Sequence, residues 1–92
     1  MSKSLIAHGF SEDLSQVTQL FLVSSQNKKK VDMEAAEIIE SIRNLLLQDY
    51  QRKTIDGSLG RWFCIKKPRA TYFALAGQGY PERLAYQLLN VA

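Results

Sequence analysis

Two periodicities of apolar residues divide the chain. Between Asp32 and Tyr50, Ala35, Ile38, Ile39, Ile42, Leu45, Leu46 and finally Tyr50 recur at intervals of three and four. That spacing predicts an amphipathic helix with one apolar stripe, the rest of its surface taken by Glu34, Glu37, Glu40, Ser41, Arg43, Asn44 and Gln48. Asp32 stands where a cap is needed, since its carboxylate can accept from the free N–H groups of the first turn, and Glu34 complements the helix dipole. Burying the isoleucines and leucines of the stripe contributes on the order of 2 kcal/mol each before chain entropy is charged.

Elsewhere the pattern is that of strands. Arg61-Trp62-Phe63-Cys64-Ile65-Lys66 and Thr71-Tyr72-Phe73-Ala74-Leu75-Ala76 flank the turn Lys67-Pro68-Arg69, and their aromatic and β-branched residues suit a pleated surface. Leu5-Ile6-Ala7-His8, ended by Gly9, predicts a first strand, with a turn at Ser11-Glu12-Asp13. Val17 to Val23 contains the unbroken run Leu20-Phe21-Leu22-Val23, the mark of a strand buried on both faces; periodicity alone leaves a short buried helix open. Ser24 to Lys30 is polar throughout and reads as a loop, while Gln51 to Ser58 closes the central helix and carries the turn signal Asp56-Gly57. After the break Gly77-Gln78-Gly79, Pro81 suits the start of a last helix, Glu82 complements its dipole, and Leu84, Ala85, Leu88 and Leu89 form its stripe. The order is β-β-α-β-β-α. It predicts a single α+β domain over residues 1–92, an antiparallel sheet of two β-hairpins with a long helix between them and a C-terminal helix.

Alternation along the second hairpin puts large residues on both faces of the sheet. The long helix can cover one face, and the short last helix only part of the other. Apolar surface is therefore expected to remain for a second copy or a partner chain.

Composition narrows the classes. A hydrophobic content of 46% with 23% charged residues excludes global disorder. The net charge of +3 comes largely from Lys28-Lys29-Lys30 and from Lys66-Lys67 with Arg69. It permits weak contact with anionic lipid headgroups and falls short of a nucleic-acid signature. No apolar run approaches the roughly 20 residues of a membrane span, the N-terminal apolar patch is too short for a signal peptide, and no lipidation signal is present. A soluble, cytoplasmic chain is expected, and its lone Cys64 fits a reducing compartment.

Chemistry is sparse. His8 is the only histidine, no Cys/His cluster offers metal ligands, and the spacing gives no support to a Cys64–His8 pair. Gly77-Gln78-Gly79 lacks the glycine and lysine that complete a phosphate loop, although N–H groups before a helix can hold an anion. Glu34, Glu37 and Glu40 have no nucleophile or base at useful spacing. The reading is a binding protein with neither cofactor nor enzymatic activity. An alternative is a small RNA- or single-strand-binding protein with Trp62, Phe63, Tyr72 and Phe73 as a stacking platform flanked by Lys66, Lys67 and Arg69; it requires exposed rings on one face.

Two phrases carry a family likeness, Arg52-Lys53-Thr54-Ile55-Asp56-Gly57 and Tyr80-Pro81-Glu82-Arg83-Leu84-Ala85-Tyr86-Gln87-Leu88-Leu89. Together they resemble the longin domain, the N-terminal regulatory module of the longer synaptobrevin-like SNARE proteins, which is related to small subunits of vesicle adaptor and tethering complexes. The likeness covers about residues 50–92, with Ile55, Asp56, Gly57, Tyr80, Pro81, Arg83 and Ala85 as its structural motif. It implies a protein–protein interaction module in vesicle-mediated transport, peripheral to membranes of the secretory or endosomal pathway. It also implies a groove between the first helix and the first strand of the second hairpin that binds a SNARE segment or trafficking-complex subunit. By position that groove comprises Ile39, Arg43 and Leu46 of the helix with Trp62, Cys64 and Lys66 of the strand. The chain departs from the pattern in two ways: it has no heptad-repeat SNARE segment, and it stops within its last helix, where longin domains continue through a further one.

Overall fold

Asn27, not Asp32, opens the long helix. The structure is a computed structural model that describes residues 4–23 and 27–91. In it the Asn27 side chain accepts from the backbone N–H groups of Lys29 (3.0 Å) and Lys30 (3.3 Å), and α1 runs Lys28–Leu45. Three lysines in a first turn oppose the helix dipole; the cap and the burial of Val31 nevertheless set the start there. Asp32 lies one turn in, paired with Lys28 at 2.9 Å. Lys28–Lys30 are thus helical rather than loop, and Ser24–Gln26 of that predicted loop lie outside the described residues. The buried stripe is Val31, Ala35, Ile38, Ile39 and Ile42. Leu46 ends the helix in the left-handed region (φ 52°), with its N–H bonded to the Arg43 carbonyl. Leu45, Leu46 and Tyr50, expected on the stripe, are consequently exposed.

The sheet has five antiparallel strands in the order β2-β1-β5-β4-β3: β1 (Leu5–Ser11), β2 (Gln19–Leu22), β3 (Arg52–Asp56), β4 (Arg61–Lys66) and β5 (Thr71–Ala76). With α1 and α2 (Glu82–Val91) this is a small α+β fold. The central hairpin, β4 and β5, occupies the predicted residues. β1 continues through Gly9, where a Cβ would lie 2.2 Å from the Gln19 carbonyl oxygen, so glycine is what lets β2 approach. β2 is an edge strand with alternating exposure, not a strand buried on both faces. β3 is a strand where a closing turn was expected. It is the opposite edge, and an edge strand with one apolar residue, Ile55, gives little hydrophobic pattern to read.

Strand alternation divides the core in two. On one face Ile6, Ala7, Trp62, Cys64, Phe73 and Leu75 pack with the α1 stripe. On the other, Phe63, Ile65, Ala74 and Ala76 pack with Ala85, Tyr86 and Leu89 of α2. The buried stripe of α2 is rotated from the expected one: Tyr86 is inside and Leu84 outside. A hydrogen bond between the Tyr86 hydroxyl and Thr54 Oγ1 (3.0 Å) ties the helix to β3, and the Pro81 carbonyl accepts from the N–H groups of Leu84 and Ala85.

Glu34 locks α1 to the β3–β4 turn. Its carboxylate accepts from Trp62 Nε1 (2.7 Å), the Ser58 N–H (2.9 Å), the Leu59 N–H (3.2 Å) and the Ser58 hydroxyl. Gly57 makes room for this, since a Cβ there would fall 2.2 Å from Glu34 Oε1 and 2.9 Å from Trp62 Nε1. Burial opposes the charge on Glu34, but the hydrogen bonds outweigh it and hold the pKa below the ordinary 4.5. A depressed carboxylate pKa stabilises the fold above the unfolded value, and that contribution is lost as pH falls through the folded one. Glu34→Ala is expected to cost about 1–3 kcal/mol, because Trp62 Nε1 is left buried without a partner. In thermal melts at stepped pH, the gap between wild type and Glu34→Gln should be full near neutrality and narrow below pH 4.5.

Candidate partner-binding site

The six groove positions do not line one open groove. Ile39, Trp62 and Cys64 are buried together in the core beneath α1. The missed strand explains this: with β3 outside it, β4 is an interior strand rather than the wall of a groove. Leu46 projects into solvent at 85% exposure beyond the helix end. Lys66 pairs with Asp49 at 2.9 Å, and Arg43 donates to the Leu14 carbonyl at 2.9 Å, holding the β1–β2 connection against α1. An open cleft does flank α1, but on its other side, against β2 and the β1–β2 connection; Ile39 and Arg43 border it.

Of the motif residues, Ile55 packs against the α1 core, and Asp56 receives Arg61 Nε at 2.7 Å. Tyr80 packs against the α2 core and Ala85 lies within it, where its small side chain lets the helix sit close to the sheet. Arg83 is exposed beside a polar cleft near β3.

The reactive groups are kept apart. Burial pushes the Cys64 thiol up to about 12, so it stays protonated at neutral pH. Cys64 lies on the α1 face and His8 opens on the α2 face, so the sheet separates them. Among the described residues no three potential metal ligands converge. At the glycine turn, the Gly77 N–H bonds to the Ser4 carbonyl and the Tyr80 N–H to the Gly77 carbonyl, so those donors are engaged. The stacking platform fails on exposure: Trp62, Phe63 and Phe73 are buried, and only Tyr72 of the four is partly open.

What is open is the β1–β2 flank of the α2 face. Helix α2 lies over β4 and β5 and stops short of the sheet edge. In the register, His8 pairs with Ala74 and with Phe21, and Phe10 with Tyr72. These side chains therefore share the α2 face. With Leu88, Leu89 and Val91 of α2 they line a cleft of about 470 Å³ whose walls are almost entirely carbon. The rings are ordered against one another, His8 stacked on Phe21 at 5.3 Å and Phe10 tilted on Tyr72 at 5.6 Å. Phe21 is 46% exposed and Val91 82%. Basic groups stand at the Tyr72 end: Lys67 Nζ lies 4.9 Å over the Tyr72 ring and caps the Leu89 carbonyl, and Arg69 is exposed.

Leu88 and Leu89 were legible as apolar helix positions. His8, Phe10, Phe21 and Tyr72 were not legible as a group, because they come from three strands whose order the sequence does not state.

No family model, no curated protein and no solved structure matches this chain. No helix among the described residues is long and apolar enough to cross a membrane.

The cleft should bind an apolar fluorescent dye in the native state at neutral pH. Phe21→Asp with Val91→Asp should abolish that binding at a cost of about 1–2 kcal/mol, chiefly the lost cross-strand contact of Phe21 with His8; far-UV circular dichroism and a denaturant melt check that the fold is kept.

Proposed function

We propose that this chain is a non-enzymatic, longin-type protein-interaction module, acting in vesicle trafficking or a related membrane-associated assembly. It receives an amphipathic segment of a partner protein in the cleft beside α2. One observation carries the reading: an ordered aromatic and aliphatic surface left uncovered on a sheet whose other large apolar side chains lie under its helices. Contiguous apolar surface of this kind is a feature of protein–protein interaction sites and ligand grooves. The two sequence phrases supply the longin part of the reading, and the element order of two strands, a helix, three strands and a helix is compatible with it.

The chemistry of the cleft defines what it takes. Large apolar side chains at helical spacing would fill the space between Phe10, Phe21 and Leu88, as in helix-in-groove recognition. Arg69, exposed at one end, favours acidic residues flanking that apolar stretch. A SNARE segment or a trafficking-complex subunit fits this description. The groove expected between α1 and β4 is replaced in this reading by the cleft on the opposite face.

A pull-down from cell lysate with identification by mass spectrometry tests it. SNARE or coat and tether subunits should be captured by the wild type and lost with Phe21→Asp, but retained with Leu46→Asp on the opposite side. Equal capture by all three forms would refute the cleft as the binding surface. Recovery of nucleic acid with salt-sensitive binding, and of no such protein, would refute the function.

A further inference from the structure

The other end of the sheet presents a backbone surface rather than an apolar one. β3 is the last strand, and no described strand pairs with its outer side. Just beyond its ends, the Lys66 N–H donates to the Gln51 carbonyl and the Gly57 N–H to the Gly60 carbonyl. Hydrogen-bonded pairs alternate along an antiparallel ladder. Lys53 and Ile55 therefore turn their backbone groups toward β4, while Arg52, Thr54 and Asp56 turn theirs outward. Edges are commonly blunted by proline, a bulge, shortness or charge; the charges of β3 are of both signs, Arg52 and Lys53 against Asp56, so they repel a second copy in some registers and pair with it in others. β3 has no proline, and its register against β4 runs without a shift.

We propose that β3 pairs antiparallel with β3 of a second copy of this chain, about a twofold axis at Thr54, making one continuous sheet of two. The charges of the strand select that register. Centred on Thr54, Arg52 of each copy stands directly opposite Asp56 of the other on the α2 side, and Lys53 lies opposite Ile55 on the α1 side. Centring on Lys53 would set two lysines face to face, on Arg52 two arginines, and on Asp56 two aspartates. Centring on Ile55 leaves both Arg52–Asp56 pairs unmade. Like charges directly opposite are destabilising, and opposite charges stabilise.

The groups are available for this. Arg61 Nε occupies Asp56 Oδ1, leaving the second carboxylate oxygen, and the Asp56 side chain is 65% exposed. The Arg52 guanidinium rests 4.7 Å over the Tyr86 ring, at the rim of the strand. Above this edge lies a polar cleft of about 600 Å³ lined by residues that include Arg52, Thr54, Glu82, Arg83 and Gln87, which leaves room for the partner's side chains and suits a wet rim. The interface is at the opposite edge of the sheet from the apolar cleft, so the dimer and the cleft stand or fall separately.

Sedimentation equilibrium over a concentration series should show the mass rising from 10.5 kDa toward twice that value. Asp56→Lys and Arg52→Glu, each placing like charges opposite, should weaken the dimer at least about tenfold; the double reversal should restore it, and Phe21→Asp should leave it intact. Hydrogen exchange on the wild type requires no variant. The amides of Arg52, Thr54 and Asp56 should slow as concentration rises, while those of Lys53 and Ile55, bonded to β4, are slow throughout. A mass of 10.5 kDa up to millimolar concentration would overturn the proposal. So would a dimer indifferent to the single charge reversals, or concentration-dependent protection at other amides only.

Discussion

The structure turns on a constraint set by its two middle strands. β4 and β5 carry large apolar side chains on both sides, so the sheet needs a cover on each face. Helix α1 supplies one cover with its stripe from Val31 to Ile42. Helix α2 is shorter and supplies the other only over the centre, where Ala85, Tyr86 and Leu89 meet Phe63 and Ile65. The remainder of the α2 face falls into two flanks of opposite character: β1–β2 is aromatic and aliphatic, and β3 is charged and polar. The proposed partner binding and self-pairing would each satisfy one of those flanks.

Within this frame a single carboxylate sets the position of α1. Glu34 gathers the Trp62 indole and the Ser58–Leu59 backbone, and so joins the helix to the turn that begins β4. The Asp56-Gly57 pair acquires its meaning here. Gly57 is needed less for turn geometry than for space, because a side chain would displace the carboxylate from the indole. A charged residue on the outer part of a helix thus becomes a connection between layers, and the indole N–H of a fully buried tryptophan finds its acceptor.

The aromatic side chains divide in the same way. Trp62 and Phe73 pack with their rings tilted at 58° in the α1 core, and Phe63 meets the Tyr86 ring nearly perpendicularly under α2. Of the rings carried by the sheet, those on β1 and β2, with Tyr72 beside them, remain in reach of a partner. That distribution is why the hairpin that dominates the sequence is the interior of the molecule, while the surfaces proposed for recognition lie at the two ends of the sheet.

The two-sided hairpin, both helices and the prospect of an under-covered face were legible in the residues alone. Each rests on local periodicity, which burial enforces residue by residue. The sequence misplaced the start of α1 because Asp32 and Asn27 are both competent caps, and the choice between them is made by where Val31 must be buried. It concealed β3 because Arg52–Asp56 has a single apolar side chain; the strand exists through the ladder that β4 offers it and through contacts of Ile55 and Thr54 with opposite layers. With β3 hidden, the longin resemblance places β4 as a groove wall, with Trp62 and Cys64 as ligand contacts, where the structure has them in the core. Only the tertiary structure decided which side chains share a surface, because strand order joins residues far apart in the chain, as it does His8, Phe21 and Tyr72.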